Sequence, residues 1–173
     1  MKKVISFFVP LILVLLTSCG KAVFTPKHRV ALQQSGISTK DVQFYNSKKI
    51  KLERQISSSE VGTAKGTVNV RKGMHFESII FPRHTKGRLA IEDKDCLTIA
   101  FEQAGTIVFC QNASGKYFRL MGRGGYIQNG AQMSYAGQTW TVEKGATAKL
   151  KFRESSKIRK TKNSRTVKGL SVE

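Results

Sequence analysis

The sequence predicts an all-β fold, a small antiparallel β-sandwich or barrel that follows a short, partly helical N-terminal tether. Three observations carry that expectation. Apolar and polar residues alternate with period two from Ile50 onward. Turn residues recur at intervals of about 8 to 12 positions. Beyond the N-terminal apolar run, no stretch has the apolar spacing of a long helix. With 173 residues, 40% of them hydrophobic, the chain is long enough for one globular core and too apolar for a wholly disordered protein.

Residues 19–49 are polar and mixed, and read as a tether. A short helix is expected over 28–34, stopped at Gly36, and Ser38 is placed to cap a turn or two running to Tyr45. In 50–56, Ile50, Leu52 and Ile56 share one parity and Lys51, Glu53 and Gln55 the other, as in a half-buried strand; Arg54 breaks the apolar parity. Strands follow at 68–70 and 75–81 around Lys72-Gly73, then at 89–92 and 96–101 around the acidic turn Asp93-Lys94-Asp95. Further strands are expected at 106–111, 117–121 and 126–128, separated by the turn 112–115 and the glycine-rich bend 122–125. Asn129-Gly130 is the sharpest hairpin signal, since both residues tolerate the positive φ of a type I′ turn. Strands at 139–143 and 148–153 complete the β domain of 50–153, with Trp140 and Val142 anchoring a core layer. Residues 154–173 form a basic tail, too polar to build a core, whose 166–172 portion has the composition of an edge strand.

The N-terminus carries an address. Lys2 and Lys3 precede a run, 4–16, that is apolar apart from Ser6 and Pro10, and polar Thr17, Ser18 and Lys21 follow at once. This is the layout of a secretory signal, and it is shorter than the ~18 to 20 apolar residues of a permanent membrane span. The sequence Leu16-Thr17-Ser18-Cys19 resembles the lipobox of bacterial lipoproteins: an aliphatic residue, two small residues and a cysteine. The resemblance implies removal of 1–18, a diacylglycerol thioether on Cys19 and a membrane anchor of two or three acyl chains. A thiolate suits that step because it is a far better nucleophile than a hydroxyl near neutral pH. Gly20, in place of the Asp that marks inner-membrane retention, favours the outer membrane if the host is Gram-negative. No family resemblance extends over 20–173.

The charge belongs to the exported part. Thirty Lys and Arg face 11 Asp and Glu, a formal +19, and removal of 1–18 lowers it by only two. Such an excess attracts anionic polymers, acidic proteins or anionic head groups. In the tail, Lys157, Arg159, Lys160, Lys162, Arg165 and Lys168 stand among Ser, Thr and Asn and form the expected contact surface. No aromatic residue is interleaved with them, so base stacking and sequence-specific nucleic-acid recognition are not expected.

Cys96 and Cys110 fall on one face of adjacent strands if 102–105 turns a hairpin. Two readings stand: a disulfide, which export permits, or two small buried thiols. His28, His75 and His84 show no ligand spacing, and the cluster Glu92, Asp93, Asp95 lacks the form of a calcium loop, so neither metal nor cofactor is expected. Gly122-Arg123-Gly124-Gly125 lacks the Lys-Ser/Thr ending of a phosphate loop. No pair of carboxylates and no nucleophile with its base is singled out by spacing. The expected function is that of a lipid-anchored cell-envelope protein, a non-catalytic binding or scaffolding module for an acidic partner protein or an anionic envelope polymer. Two alternatives differ in class. A structural lipoprotein subunit of an outer-membrane secretion or conjugation complex would co-purify at fixed stoichiometry in high salt. A surface hydrolase acting on envelope polymers would need a cleft with paired acids.

Overall fold

The computed structural model describes residues 20–103, 105–122 and 125–153. The strands in chain order are β1 (Lys21–Val23), β2 (Phe44–Asn46), β3 (Ile50–Ile56), β4 (Thr67–Arg71), β5 (Met74–Phe81), β6 (Lys86–Glu92) and β7 (Cys96–Ala100). They continue with β8 (Thr106–Gln111), β9 (Phe118–Gly122), β10 (Gly125–Tyr126), β11 (Gln132–Tyr135), β12 (Gln138–Lys144) and β13 (Leu150–Arg153). One α-helix, α1 (Pro26–Gln34), lies between β1 and β2. All strand pairs are antiparallel and form two sheets, one in the order β1-β13-β2-β6-β7-β8-β9-β10 and the other β11-β12-β3-β5-β4. A bridge between Arg119 and Lys149, with the Leu120 N–H donating to the Ala148 carbonyl at 3.0 Å, returns β9 to the chain just ahead of β13. The run from β13 through β2, β6, β7 and β8 to β9 thereby closes on itself at that point. The chain is all-β, as its alternation predicts.

The segment 19–49 reads in sequence as a tether, but its described part is built into the body. Phe24, Leu32 and Phe44 are fully buried. The Phe24 ring meets Phe44 edge-on at 5.1 Å, Phe152 edge-on at 5.2 Å and Phe118 stacked at 5.6 Å. These buried residues are too widely spaced to show a period, yet each plugs one core position. α1 begins two residues earlier than its apolar pattern suggests, because Thr25 accepts from the His28 N–H at 3.3 Å and Pro26 fits the first helical turn.

Two hairpins turn where two consecutive residues take positive φ: Lys72-Gly73 (51° and 76°) and Ala136-Gly137 (50° and 76°). Asn129-Gly130 is a turn but not the expected hairpin, for β10 pairs with β9 and β11 with β12. Only Gly130 of that pair has positive φ, 90°, and its N–H donates to the Val142 carbonyl at 2.8 Å, so the turn carries the chain across to the second sheet. Trp140 and Val142 are buried, and the Trp140 indole N–H donates to the Tyr135 carbonyl at 3.1 Å.

Arg54 breaks the apolar parity of β3 because it caps the core rather than leaving it. Its Nε donates to Glu77 at 2.8 Å, and its guanidinium lies 5.3 Å from the centre of the Trp140 ring. Glu77, 2% exposed, also accepts the backbone N–H groups of Lys65 and Gly66 at 2.8 and 2.7 Å.

Cys96 and Cys110 are direct partners of β7 and β8 and are joined by a disulfide. The neighbouring Gln111 N–H donates to the Asp95 carbonyl, so the cysteines occupy the close, non-hydrogen-bonded type of pair, where Cβ atoms come nearest. At a sequence separation of 14, replacing both cysteines by Ser is expected to cost about 3 kcal/mol through the freer unfolded chain. Urea unfolding followed by Trp140 fluorescence checks this; an unchanged midpoint would show that the bridge constrains nothing.

Candidate cationic cleft

Alternation along β13 sends Leu150 and Phe152 into the core and leaves Lys149, Lys151 and Arg153 outside. On β9 the same rule buries Phe118 and Leu120 and turns Tyr117 and Arg119 outward. The Arg119–Lys149 bridge sets these two outer rows side by side. Lys48, from the β2–β3 loop, and Arg83, from the β5–β6 turn, complete a cleft of about 400 Å³ that also includes Val23, Ser47 and Thr147.

Asn46, fully buried at the end of β2, holds both loops in place. Its side-chain amide donates to the carbonyls of Lys48 and Pro82, each at 2.8 Å, and its backbone carbonyl accepts the His84 N–H at 3.0 Å. Ser47 fastens the first loop to β13: its N–H donates to the Lys149 carbonyl at 2.9 Å, and its hydroxyl accepts the Lys149 N–H at 2.7 Å.

The cations rest on neutral partners. Lys149 Nζ sits 4.0 Å from the centre of the Tyr117 ring, and Lys48 Nζ donates to the Thr147 hydroxyl at 2.6 Å. Arg119 donates from Nη2 to the Ile127 carbonyl at 3.0 Å, lies 5.7 Å from the Tyr126 ring centre, and keeps a buried Nε without a hydrogen-bond partner among the described residues. Nearby, Lys21 Nζ lies 4.6 Å from the Tyr45 ring centre. Among the described residues no carboxylate pairs with Lys48, Arg83, Arg119, Lys149 or Lys151. The ion pairs fall elsewhere: Arg29 with Glu92, Lys51 and Arg71 with Glu53, and Arg54 with Glu60 and Glu77.

His84 registers the resulting field. Partial burial, and then the charges of Lys21, Arg83 and Lys151, lower its pKa below the usual value of about 6.5. A depressed folded-state pKa means that the neutral ring's contribution to stability is complete above about pH 6.5 and is lost as pH falls through the window below it. NMR titration of the ring is expected to show this low value and its rise when polyphosphate fills the cleft; no movement on adding polyphosphate would place the anion elsewhere.

Glu53 and Glu77, both buried, do not face each other as a hydrolytic pair. Glu53 and Glu77 sit at neighbouring rungs of β3 and β5 but on opposite faces, since Glu53 is opposite Ser78 and Glu77 opposite Arg54. Burial pushes the Glu53 carboxyl up, but hydrogen bonds and charge from Lys51 and Arg71 outweigh it and hold it below its usual range. Glu102 accepts from the buried hydroxyl of Tyr135. Glu92, of the acidic cluster, bonds Arg29 at 2.7 Å, and no group of three His, Cys, Asp or Glu among the described residues could hold a metal ion.

Cys19 and the tail cations Lys157, Arg159, Lys160, Lys162, Arg165 and Lys168 lie outside the described residues. The cleft is a different cationic surface, which the sequence reading missed because its members are spread from 48 to 151. The one local signal is Ser47-Lys48-Lys49 directly after a strand-ending Asn. No helix among the described residues is long and apolar enough to cross a membrane. No protein-family model matches the chain, and no match was found among curated proteins or solved structures.

Proposed function

We propose that this chain is a lipid-anchored cell-envelope protein, fastened through Cys19, that binds an anionic surface in a non-catalytic way through the cleft of Lys48, Arg83, Arg119, Lys149 and Lys151. The observation that carries the reading is that these five cations converge without a carboxylate partner among the described residues. Like charges held together repel, and an anionic ligand relieves that repulsion while releasing its own counterions. The intramolecular disulfide is the kind of bond that an oxidising, extracytoplasmic compartment maintains. The disposition of Glu53 and Glu77 gives the hydrolase alternative no support.

Salt-dependent binding to polyphosphate tests the reading. Replacing Lys48, Lys149 and Lys151 together by Ser is expected to weaken binding at least about tenfold in low salt and to lower the slope against log salt by about two to three units. The disulfide and the unfolding midpoint should be kept. Equal affinity and slope for the two proteins would refute the assignment of the cleft.

A further inference from the structure

We propose that the anionic surface taken by the cleft is the phosphate headgroup layer of the very bilayer that holds the anchor, so that the body lies with its β1–β13 side against the membrane. This rests on the reading of Cys19 as the lipid-bearing residue. Cys19 is two positions before Lys21, the first residue of β1, so chain connectivity keeps its α-carbon within about 8 Å of that strand's start. β1 pairs with β13, placing Lys21 opposite Arg153 and Val23, which lines the cleft, opposite Lys151. There is no room for a spacer: a body leashed this closely meets the headgroups with whatever side carries β1.

That side is chemically suited to headgroups. Anionic lipids act on cations only within about a Debye length, roughly 8 Å at physiological salt, and the short leash brings the Lys21–Arg153 end of β1 and β13 into that range. Arg83 and Arg119 offer planar forks that match phosphate oxygens, and the lysines offer long apolar stems that lie along acyl chains while their ammonium groups stay wet. Tyr117 and the exposed Tyr126 supply rings of the sort that settle at the boundary between headgroup and water. A carboxylate in the cleft would repel such a surface, and the described residues place none there.

The test uses the full lipidated protein, purified from its envelope and reconstituted into vesicles of phosphatidylcholine, alone or mixed with phosphatidylglycerol. Lysine acylation by an amine-reactive reagent is read residue by residue by mass spectrometry. Including phosphatidylglycerol is expected to slow acylation of Lys48, Lys149 and Lys151 at least about threefold, in a manner reversed by high salt, while Lys65 and Lys72, which flank β4, react unchanged. Equal rates in the two vesicles would overturn the proposal. Protection by added soluble polyphosphate but not by phosphatidylglycerol would also overturn it, and would leave anion binding by the cleft intact. A Cys19 peptide lacking the diacylglycerol mass would overturn both this inference and the anchor reading beneath it.

Discussion

Replacing Phe24 by Ala is expected to destabilise the protein by about 3 to 5 kcal/mol, measured as a fall in the urea midpoint at unchanged slope. The side chain is fully buried, and its ring touches three phenylalanines drawn from β2, β9 and β13. Truncation removes their common partner and leaves a cavity that three strands cannot all close in upon. Val30, half exposed on α1, provides the contrast, and its change to Ala should stay within about 0.5 kcal/mol. A loss below about 1 kcal/mol for Phe24→Ala would mean that the N-terminal segment is a dispensable tether after all, a result that surface-like positions give.

Glu77→Ala is the second large effect, with an expected cost of about 3 kcal/mol. The carboxylate satisfies Arg54 and two backbone N–H groups at once, so its removal strands one charge and two donors in a partly buried site. Breaking one side of a buried pair costs about 3 to 5 kcal/mol, and the lower end applies because Arg54 keeps Glu60 at 3.2 Å. Glu77→Gln preserves the shape and one acceptor oxygen and should lose about half as much. Equal stability of wild type and Glu77→Ala in thermal and urea unfolding would show that the Arg54 cap is dispensable.

Alternation and turn chemistry made most of the β architecture legible. β3, β5, β7 and β8 lie where period two puts them, and Lys72-Gly73 turns where its glycine indicates. What stayed hidden had no local signature. β1 and β2 are three residues each, too short for alternation to register, and their places beside β13 depend on pairing across more than a hundred positions. Asn129-Gly130 misled because a dipeptide that tolerates a hairpin does not dictate which strands flank it. Arg54 looked like an exception to a pattern and is held in place by Glu77. The cleft was illegible for the same reason: its charges meet only when β9 and β13 do, although the excess of cations that supplies them was plain from composition.

The antiparallel match of Lys21 with Arg153 has a practical corollary for anyone handling this protein. Both ends of the described body leave from one margin, so a fluorescent probe carried at Arg153 sits beside the start of β1 and competes for space with whatever gathers there. The Lys72-Gly73 turn, which joins the outermost strand pair of the other sheet, offers an insertion point for epitopes that leaves that margin unobstructed.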